Sequence, residues 1–179
     1  MKALKAYTIP FVGLKVGEHD FDYQIDNTFF QNFEYDEFNA VDVKIDLKFE
    51  KKTTLLELYF SAEGSVNINC DVTNEPYDQA IADKFKLVVK FGDEHNDDND
   101  DILIVTHGEY EINVAQYIYE LIVLAVPAKR IHPGVEDGTL QSDILSKLDE
   151  LSPGEDSKTK SSEAIDPRWN NLKKLLTDK

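Results

Sequence analysis

Hydrophobic and charged residues alternate without interruption over the segment Val41–Glu50. A period of two residues is typical of a β-strand with one buried and one solvated face. We therefore expect the apolar side of this strand to be buried and its charged side, which alternates in sign, to face water. Similar patterns predict strands over Leu55–Phe60, Ser65–Cys70 and Ile81–Phe91, and Gly64 predicts a bulge or bend between the first two.

The remaining apolar patterns before residue 110 are shorter. Weaker strands are predicted over Leu4–Phe11 and Asp20–Ile25, a helical turn over Asn27–Phe33, and a short apolar run at Ile102–Val105. The connections between successive strands are short, which favours an antiparallel meander because antiparallel neighbours can be joined by tight turns.

Helical periodicity appears only in the second half of the chain. The segment Asn113–Val126 predicts a helix that Asn113 caps and Pro127 ends. A second amphipathic helix is predicted over Leu140–Leu151. Strands that cluster before helices predict an α+β fold, with a curved antiparallel sheet of about six or seven strands packed against the first helix. The pattern leaves open whether the sheet closes partly into a barrel.

Changes in composition divide the chain into four segments. Residues 1–127 form the predicted β-rich core with its main helix, and residues 128–151 a loop followed by the amphipathic helix. Residues 152–164 are polar and predict a flexible linker, while residues 165–179 predict a tethered C-terminal helix. In that last segment Asp166 is suited to the N-cap and the following proline to the first helical position.

The charge balance changes the picture of function. The 179 residues include 19 Lys and Arg against 35 Asp and Glu, for a formal net charge of −16. Such acidity argues against binding to nucleic acid by bulk charge, and against coating an anionic membrane. The longest apolar run, Leu121–Val126, is far shorter than the ~20 residues of a spanning helix. No signal-peptide pattern is found, and the single Cys70 fits a reducing compartment, so we expect a cytoplasmic protein.

No segment predicts a catalytic site, a cofactor or a metal ion. The acidic run Gly92–Asp101 fails the calcium-loop test, because Ile102 and Gly108 stand where glycine and glutamate are needed. We interpret it as a solvated loop between strands. The four histidines lack metal-ligand spacing, and there is no nucleophile elbow or glycine-rich phosphate loop. Glu120 is interpreted as a carboxylate at the edge of the core, and we expect no enzymatic activity.

Two groups of residues are candidates for binding. Lysines on one face of the Ile81–Phe91 strand, with Lys44 and Lys48 of an earlier strand, form either a balanced solvated face or a local strip for phosphate contacts. Residues 166–179 carry four basic and two acidic residues and the only tryptophan, the kind of side chain found in binding hot spots. The candidate RNA contacts are Lys84, Lys86, Lys90, Lys173 and Lys174.

Three stretches resemble the YceD family, the large-subunit ribosomal RNA accumulation proteins of bacteria and plastids. They are Ile68–Pro76 with the strand that follows, Val114–Pro127, and the motif Asp166-Pro167-Arg168-Trp169 with Leu172 and Leu175. The resemblance covers roughly residues 35–176. Many family members carry a Cys pair in the first stretch and further cysteines later, suggestive of zinc; here Thr73 stands at the second position of the pair. The resemblance thus leaves Cys70 as a buried remnant.

The resemblance implies a non-enzymatic role in the accumulation of large-subunit (23S) rRNA and in ribosome biogenesis. We hypothesise that the acidic body binds a basic ribosomal protein or an assembly factor. The predicted partner-binding residues are Asp166, Pro167, Arg168, Trp169 and Leu172. Two alternatives stay open: a protein that binds rRNA directly through local basic patches, and a small-molecule-binding β-barrel or enzyme with an unrecognised site.

Overall fold

One antiparallel meander of long strands organises the fold. The computed structural model describes residues 3–99, 101–140 and 142–152. The strands are β1 (Thr8–Ile9), β2 (Gly17–Ile25), β3 (Ala40–Lys51), β4 (Leu55–Asn69), β5 (Pro76–Gly92), β6 (Asn96–Asn99), β7 (Ile102–Thr106) and β8 (Ile112–Asn113). The helices are α1 (Asn27–Gln31), α2 (Ala115–Ala125), α3 (Pro133–Glu136) and α4 (Asp143–Leu151), with 3₁₀ helices at Ala3–Tyr7 and Phe11–Gly13.

The main sheet has the strand order β2-β3-β4-β5-β7-β6. Neighbours are antiparallel except for β5 and β7, which pair in parallel because the chain first runs out to the edge strand β6. Strands β1 and β8 form a separate two-stranded sheet. Among the described strands the two edges, β2 and β6, do not pair with each other, so the sheet is not closed into a barrel. The α+β prediction is confirmed.

The sequence predicts a bulge or bend at Gly64, and the structure has no bulge there. Strand β4 runs unbroken through this position and keeps its register, with Gly64 opposite Val43 and Ser65 opposite Asp42. A Cβ atom at Gly64 would lie 2.2 Å from the carbonyl oxygen of Asp42 and 2.7 Å from Cα of Val43. The glycine is therefore explained by close approach of the neighbouring backbone, which only a residue without a side chain allows.

Three other local predictions need correction. The strand predicted over Leu4–Phe11 is reduced to the two residues of β1, because 3₁₀ helices flank it on both sides. The acidic run was predicted to be a loop, yet β6 lies within it; its side chains are all exposed, and its backbone pairs with β7. The loop predicted after Pro127 contains α3, whose first turn is capped by the His132 ring nitrogen Nδ1 bonding to the backbone N–H of Gly134.

The core lies on one face of the sheet, beneath α1 and α2. The five apolar residues of the alternating segment within β3, from Val41 to Phe49, are all buried, as predicted. Helix α2 contributes Ile118, Leu121 and Ile122 to the same core. The N-cap of α2 is Val114, one residue after the predicted Asn113, which ends β8. The Asn113 side chain still accepts a hydrogen bond of 3.0 Å from the Ala115 backbone N–H in the first turn.

The chain divides into two units between residues 137 and 138. The described part of the second unit contains α4, which begins after the cap Ser142, and its Ile144, Leu148 and Leu151 are exposed. Most of the predicted linker and all of the predicted C-terminal helix, residues 153–179, lie outside the described residues. None of the described helices is long and apolar enough to cross a membrane.

Candidate functional site

The polar face of the sheet brings the predicted lysines together. Lys48 of β3 and Lys86 of β5 both stand opposite Tyr59 of β4, so the three side chains form one row across the sheet. Lys84 lies in the next row, opposite Ser61. The basic stripe predicted from the sequence therefore exists as a spatial arrangement, although it is interleaved with carboxylates.

Most of these lysines are neutralised by neighbouring carboxylates. The Nζ atom of Lys44 lies 2.7 Å from Asp46, and that of Lys48 lies 2.9 Å from Glu18. Lys90, like Lys84, makes no ion pair with any described residue. A paired lysine would have to break its ion pair to contact an RNA phosphate, so among the described candidate lysines only Lys84 and Lys90 are readily available.

Glu57 is the centre of the charge network on this face. Its carboxylate accepts hydrogen bonds from the ammonium groups of Lys52 and Lys86 and from the hydroxyl of Tyr59. The Lys86 ammonium also lies 5.1 Å from the centre of the Tyr59 ring, a cation–π contact. The hydrogen bonds from Lys52 and Lys86 lower the pKa of Glu57 to about 2. This carboxylate is therefore ionised throughout the physiological pH range.

A concavity of about 500 Å³ lies on the polar face around this network. Strands β2 and β3 contribute its aspartates and Lys48, strand β5 contributes its other lysines, and Tyr59 and Ser61 of β4 lie between them. Because the charges are mixed, and three of the six charged lining residues already form ion pairs within the protein, this surface favours neither an anionic nor a cationic ligand. Its acidic lining residues are Asp20, Asp22 and Asp46, and its basic ones are Lys48, Lys84 and Lys86.

A second concavity has a different chemical character. It has a volume of about 460 Å³ and lies between α2 and the strands β5, β6 and β7; we call it the α2 groove. Its apolar surface comes from Phe85, Tyr117 and Leu124, and the rings of Phe85 and Tyr117 are stacked with their centroids 6.2 Å apart. Leu124 is 78% exposed, although it belongs to an otherwise well-packed helix.

Carboxylates surround the α2 groove. Asp83 lies on β5, Asp97 on β6 and Glu120 on α2, and all three line the groove. The pKa of Tyr117 is raised, first by burial and then by the negative charges of Asp97 and Glu120. Since such coupling falls off with distance, both carboxylates lie near the aromatic surface. Among the described residues that line this groove, Lys84 is the only cation.

Cys70 forms part of a hydrogen-bonded joint between two loops. The thiol is buried, and its sulfur accepts a hydrogen bond of 3.3 Å from the His132 backbone N–H. Next to it, the Asp71 backbone N–H donates to the Arg130 carbonyl at 2.7 Å, and the Arg130 N–H donates to the Asp71 carboxylate at 2.8 Å. Burial raises the pKa of the Cys70 thiol, but bonds from His132 and Thr73 outweigh burial and lower it.

These residues do not match a zinc site. A structural zinc ion needs four Cys, His or carboxylate ligands, whereas buried Thr73 offers only a hydroxyl beside Cys70. The Nδ1 atom of His132 is already used as an acceptor for the Gly134 N–H. In the described part of the chain, no group of three or more His, Cys, Asp and Glu residues could hold a metal ion. The loops are joined here by hydrogen bonds within the protein.

A comparison with protein families shows which family this chain belongs to. A sequence model of the family described as "Large ribosomal RNA subunit accumulation protein YceD" matches residues 58–176, about two thirds of the chain. The chain belongs to the YceD family. The YceD match includes β5, α2 and the loop joint at Cys70, and so covers most of the α2 groove. No curated protein and no solved structure matches the chain.

The predicted partner-binding residues stay predictions. They lie outside the described residues but inside the range that matches the YceD family, as do the candidate RNA contacts in the C-terminal segment. These residues are Asp166, Pro167, Arg168, Trp169, Leu172, Lys173 and Lys174.

The α2 groove was not recognised from the sequence. The apolar spacing along the predicted helix places Tyr117 on its core face, and the acidic run that contains Asp97 predicts a solvated loop. One signal was present: the run Leu121–Val126 contains six consecutive apolar residues, more than one face of a helix can bury. At least one of them must point to solvent, and in the structure it is Leu124.

Proposed function

We propose that this member of the YceD family supports accumulation of large-subunit (23S) rRNA by binding a basic ribosomal protein or assembly factor, without catalysing a reaction. The family match carries the role in accumulation of the large ribosomal RNA. The observation that favours a protein partner is the acidic α2 groove, where an apolar surface suited to side-chain anchors is bordered by three carboxylates. Ribosomal proteins are basic, so their charge is complementary to such a surface.

The distribution of charge supports this proposal. The formal net charge is −16, and three of the lysines on the polar face are already paired with carboxylates. An acidic surface attracts a basic partner over distances of about 8–10 Å at physiological salt and speeds its association. It also repels the phosphate backbone, which would help the protein to bind a basic partner before rRNA does.

The C-terminal motif provides a second proposed contact with the partner. Its only tryptophan, Trp169, lies next to Arg168, and both residue types are enriched in binding hot spots. The segment Asp166–Leu172 is net neutral, but the lysines that follow make the end of the chain basic. We propose that Trp169 anchors this segment on the partner, while the acidic body binds the partner's basic surface.

Direct binding of rRNA is the second candidate. It is favoured by Lys84 and Lys90, which are exposed on β5 and make no ion pair with any described residue. Such binding would weaken steeply with salt, with a slope of about −0.7 to −0.9 per phosphate contact. The small-molecule-binding barrel loses its architectural basis, because the described strands form an open sheet.

Affinity purification of the full chain from cell lysate at moderate salt tests the proposal, with and without ribonuclease. The proposal expects a basic large-subunit ribosomal protein or assembly factor that persists after ribonuclease and is depleted by Trp169→Ala. A matched control is Tyr110→Ala, which removes an aromatic side chain that is 61% exposed elsewhere on the protein. Recovery of no ribosome-related protein by the wild type, or loss of every such protein on ribonuclease treatment, would contradict it.

A further inference from the structure

The α2 groove brings an apolar surface together with carboxylates that make no ion pair with any described residue. Tyr117, Glu120, Leu121 and Leu124 follow at spacings of three and four residues, so they form one stripe along α2. Leu121 is buried at the base of the stripe, and Leu124 projects at its end. Tyr117 is partly buried, so the stripe presents an aromatic ring and the exposed Leu124 to solvent, the kind of apolar surface found at docking sites.

Opposite α2, the groove is bordered by the outer edge of β5, part of which has no neighbouring strand. Strand β7 pairs with β5 only from Val88 onwards, so among the described strands none covers the outer edge of β5 before that residue. That edge is partly blocked, since the Asp83 carboxylate accepts a hydrogen bond of 2.8 Å from the Lys84 backbone N–H. Addition of a continuous extra strand is therefore disfavoured, and side chains are the better means of anchoring a ligand here.

The charges of the groove select the chemistry of its occupant. Asp97 of β6, Glu120 of α2 and Asp83 of β5 all line the groove, so each of these three elements contributes a carboxylate to it. Glu120 has a hydrogen bond of 2.6 Å from Gln116, but that neutral amide leaves its negative charge uncompensated. None of the three carboxylates makes an ion pair with a described residue. A cationic ligand would meet these charges without displacing an existing partner.

From this arrangement we infer that the α2 groove binds a basic segment of the partner protein, which inserts an apolar side chain against Leu124 and Tyr117 and places lysine or arginine next to Asp97 and Glu120. The inference rests on the proposed function and names the surface through which that function is carried out. A nucleic acid does not suit the groove, because three carboxylates would border its phosphates. A purely apolar ligand would leave those carboxylates partly desolvated and unpaired.

Site-specific photocrosslinking in cells tests the assignment. A photoreactive benzoylphenylalanine replaces Leu124 in the full chain, and the matched control carries it at Val16, which is 66% exposed and belongs to no described helix or strand. The inference expects the Leu124 position to crosslink to one defined protein segment rich in lysine or arginine with apolar residues, and the Val16 position not to do so. Mass spectrometry of the crosslinked peptide identifies the segment.

The dissociation constant of the identified protein, measured for groove variants, then distinguishes specific contacts in the groove from non-specific attraction by the protein's net negative charge. Leu124→Gln keeps the helix propensity and removes the apolar contact, so we expect at least tenfold weaker binding, while Val16→Gln leaves affinity unchanged. The double variant Asp97→Asn, Glu120→Gln is expected to bind less tightly and to be less sensitive to salt. Unchanged affinity in both groove variants would overturn the inference.

The possible failures are distinguishable. A crosslink from Leu124 only to residues 165–179 of the same chain, to a second copy, or to RNA would overturn the groove assignment. If the tagged wild type recovers a ribosome-related protein but Leu124 gives no crosslink to it, the proposed function stands and the groove assignment fails. If the wild type recovers no such protein, the proposed function itself fails.

Discussion

Gly64→Ala gives the sharpest test of how the central strands pack. The added Cβ atom would lie 2.2 Å from the Asp42 carbonyl oxygen, 2.7 Å from Val43 Cα and 3.1 Å from the Asp42 carbonyl carbon. An ordinary carbon–oxygen contact is about 3.3 Å or longer. All three atoms belong to the backbone of β3, so no side chain can rotate away to make room. The two strands would have to separate by about 1 Å at this point to restore an ordinary contact distance.

Two costs combine in this variant. The φ angle of Gly64 is +158°, at the margin of the region that residues with a side chain rarely adopt, and strain of this kind costs about 1–3 kcal/mol. Forcing extra volume between packed elements costs about 1–3 kcal/mol more. We therefore expect a loss of about 2–6 kcal/mol from the free energy of unfolding, a large part of the usual 5–15 kcal/mol.

Urea denaturation followed by far-ultraviolet circular dichroism measures this loss. Gly108→Ala is the matched control, because a Cβ atom there meets nothing within 4 Å. Its free energy of unfolding is expected to change by less than about 1 kcal/mol. If Gly64→Ala unfolds at the wild-type urea concentration with an unchanged slope, the close approach of β3 to β4 is not what requires glycine.

Three further variants test the Glu57 charge network, the loop joint at Cys70, and the hydrogen bonds that Asn113 makes to the N-terminal segment and to α2. Because the pKa of Glu57 falls from 4.5 to about 2 on folding, wild-type stability is expected to decline as pH falls from 4.5 through 2. Glu57→Gln should lower the free energy of unfolding by about 1 kcal/mol at neutral pH and flatten that decline in acid denaturation curves. The control Glu63→Gln should show the same decline as the wild type. Cys70→Ala leaves the His132 N–H without its acceptor and is expected to cost about 1–3 kcal/mol and speed amide exchange at His132, while Cys70→Ser preserves much of the protection; equal exchange in the two would contradict this. Asn113→Ala removes hydrogen bonds to the first 3₁₀ helix and to α2, and should lower the free energy of unfolding by about 1–2 kcal/mol in thermal unfolding. An unchanged melting temperature would refute this expectation.

The sequence predicts the fold correctly wherever the apolar pattern along one segment determines which of its side chains are buried. The alternation over Val41–Glu50 predicts a strand with two unlike faces, and the structure buries every apolar member of it. The apolar face of α2 is likewise local, because Ile118, Leu121 and Ile122 fall on one side of any helix. Gly64 shows the limit: a bulge and a close approach of backbones both need glycine, and the distinction depends on a neighbouring strand.

The candidate site depends on such non-local relations. The sequence places Lys86 on the polar face, but only the register of β4 against β5 brings it to Glu57, which neutralises it. Leu124 reads as one more residue of an apolar run, and its exposure follows from the space between α2 and the strands β5, β6 and β7. The motif around Trp169 is local and was recognised from the sequence, since it needs no neighbour to be visible.

In-cell crosslinking of the full chain, with proteins and RNA identified in parallel, tests the central claim most directly. The account predicts a basic large-subunit ribosomal protein or assembly factor as the main crosslinked species, with RNA recovered only through that protein. Crosslinking to large-subunit rRNA without any such protein, or to no component of ribosome assembly at all, would contradict it.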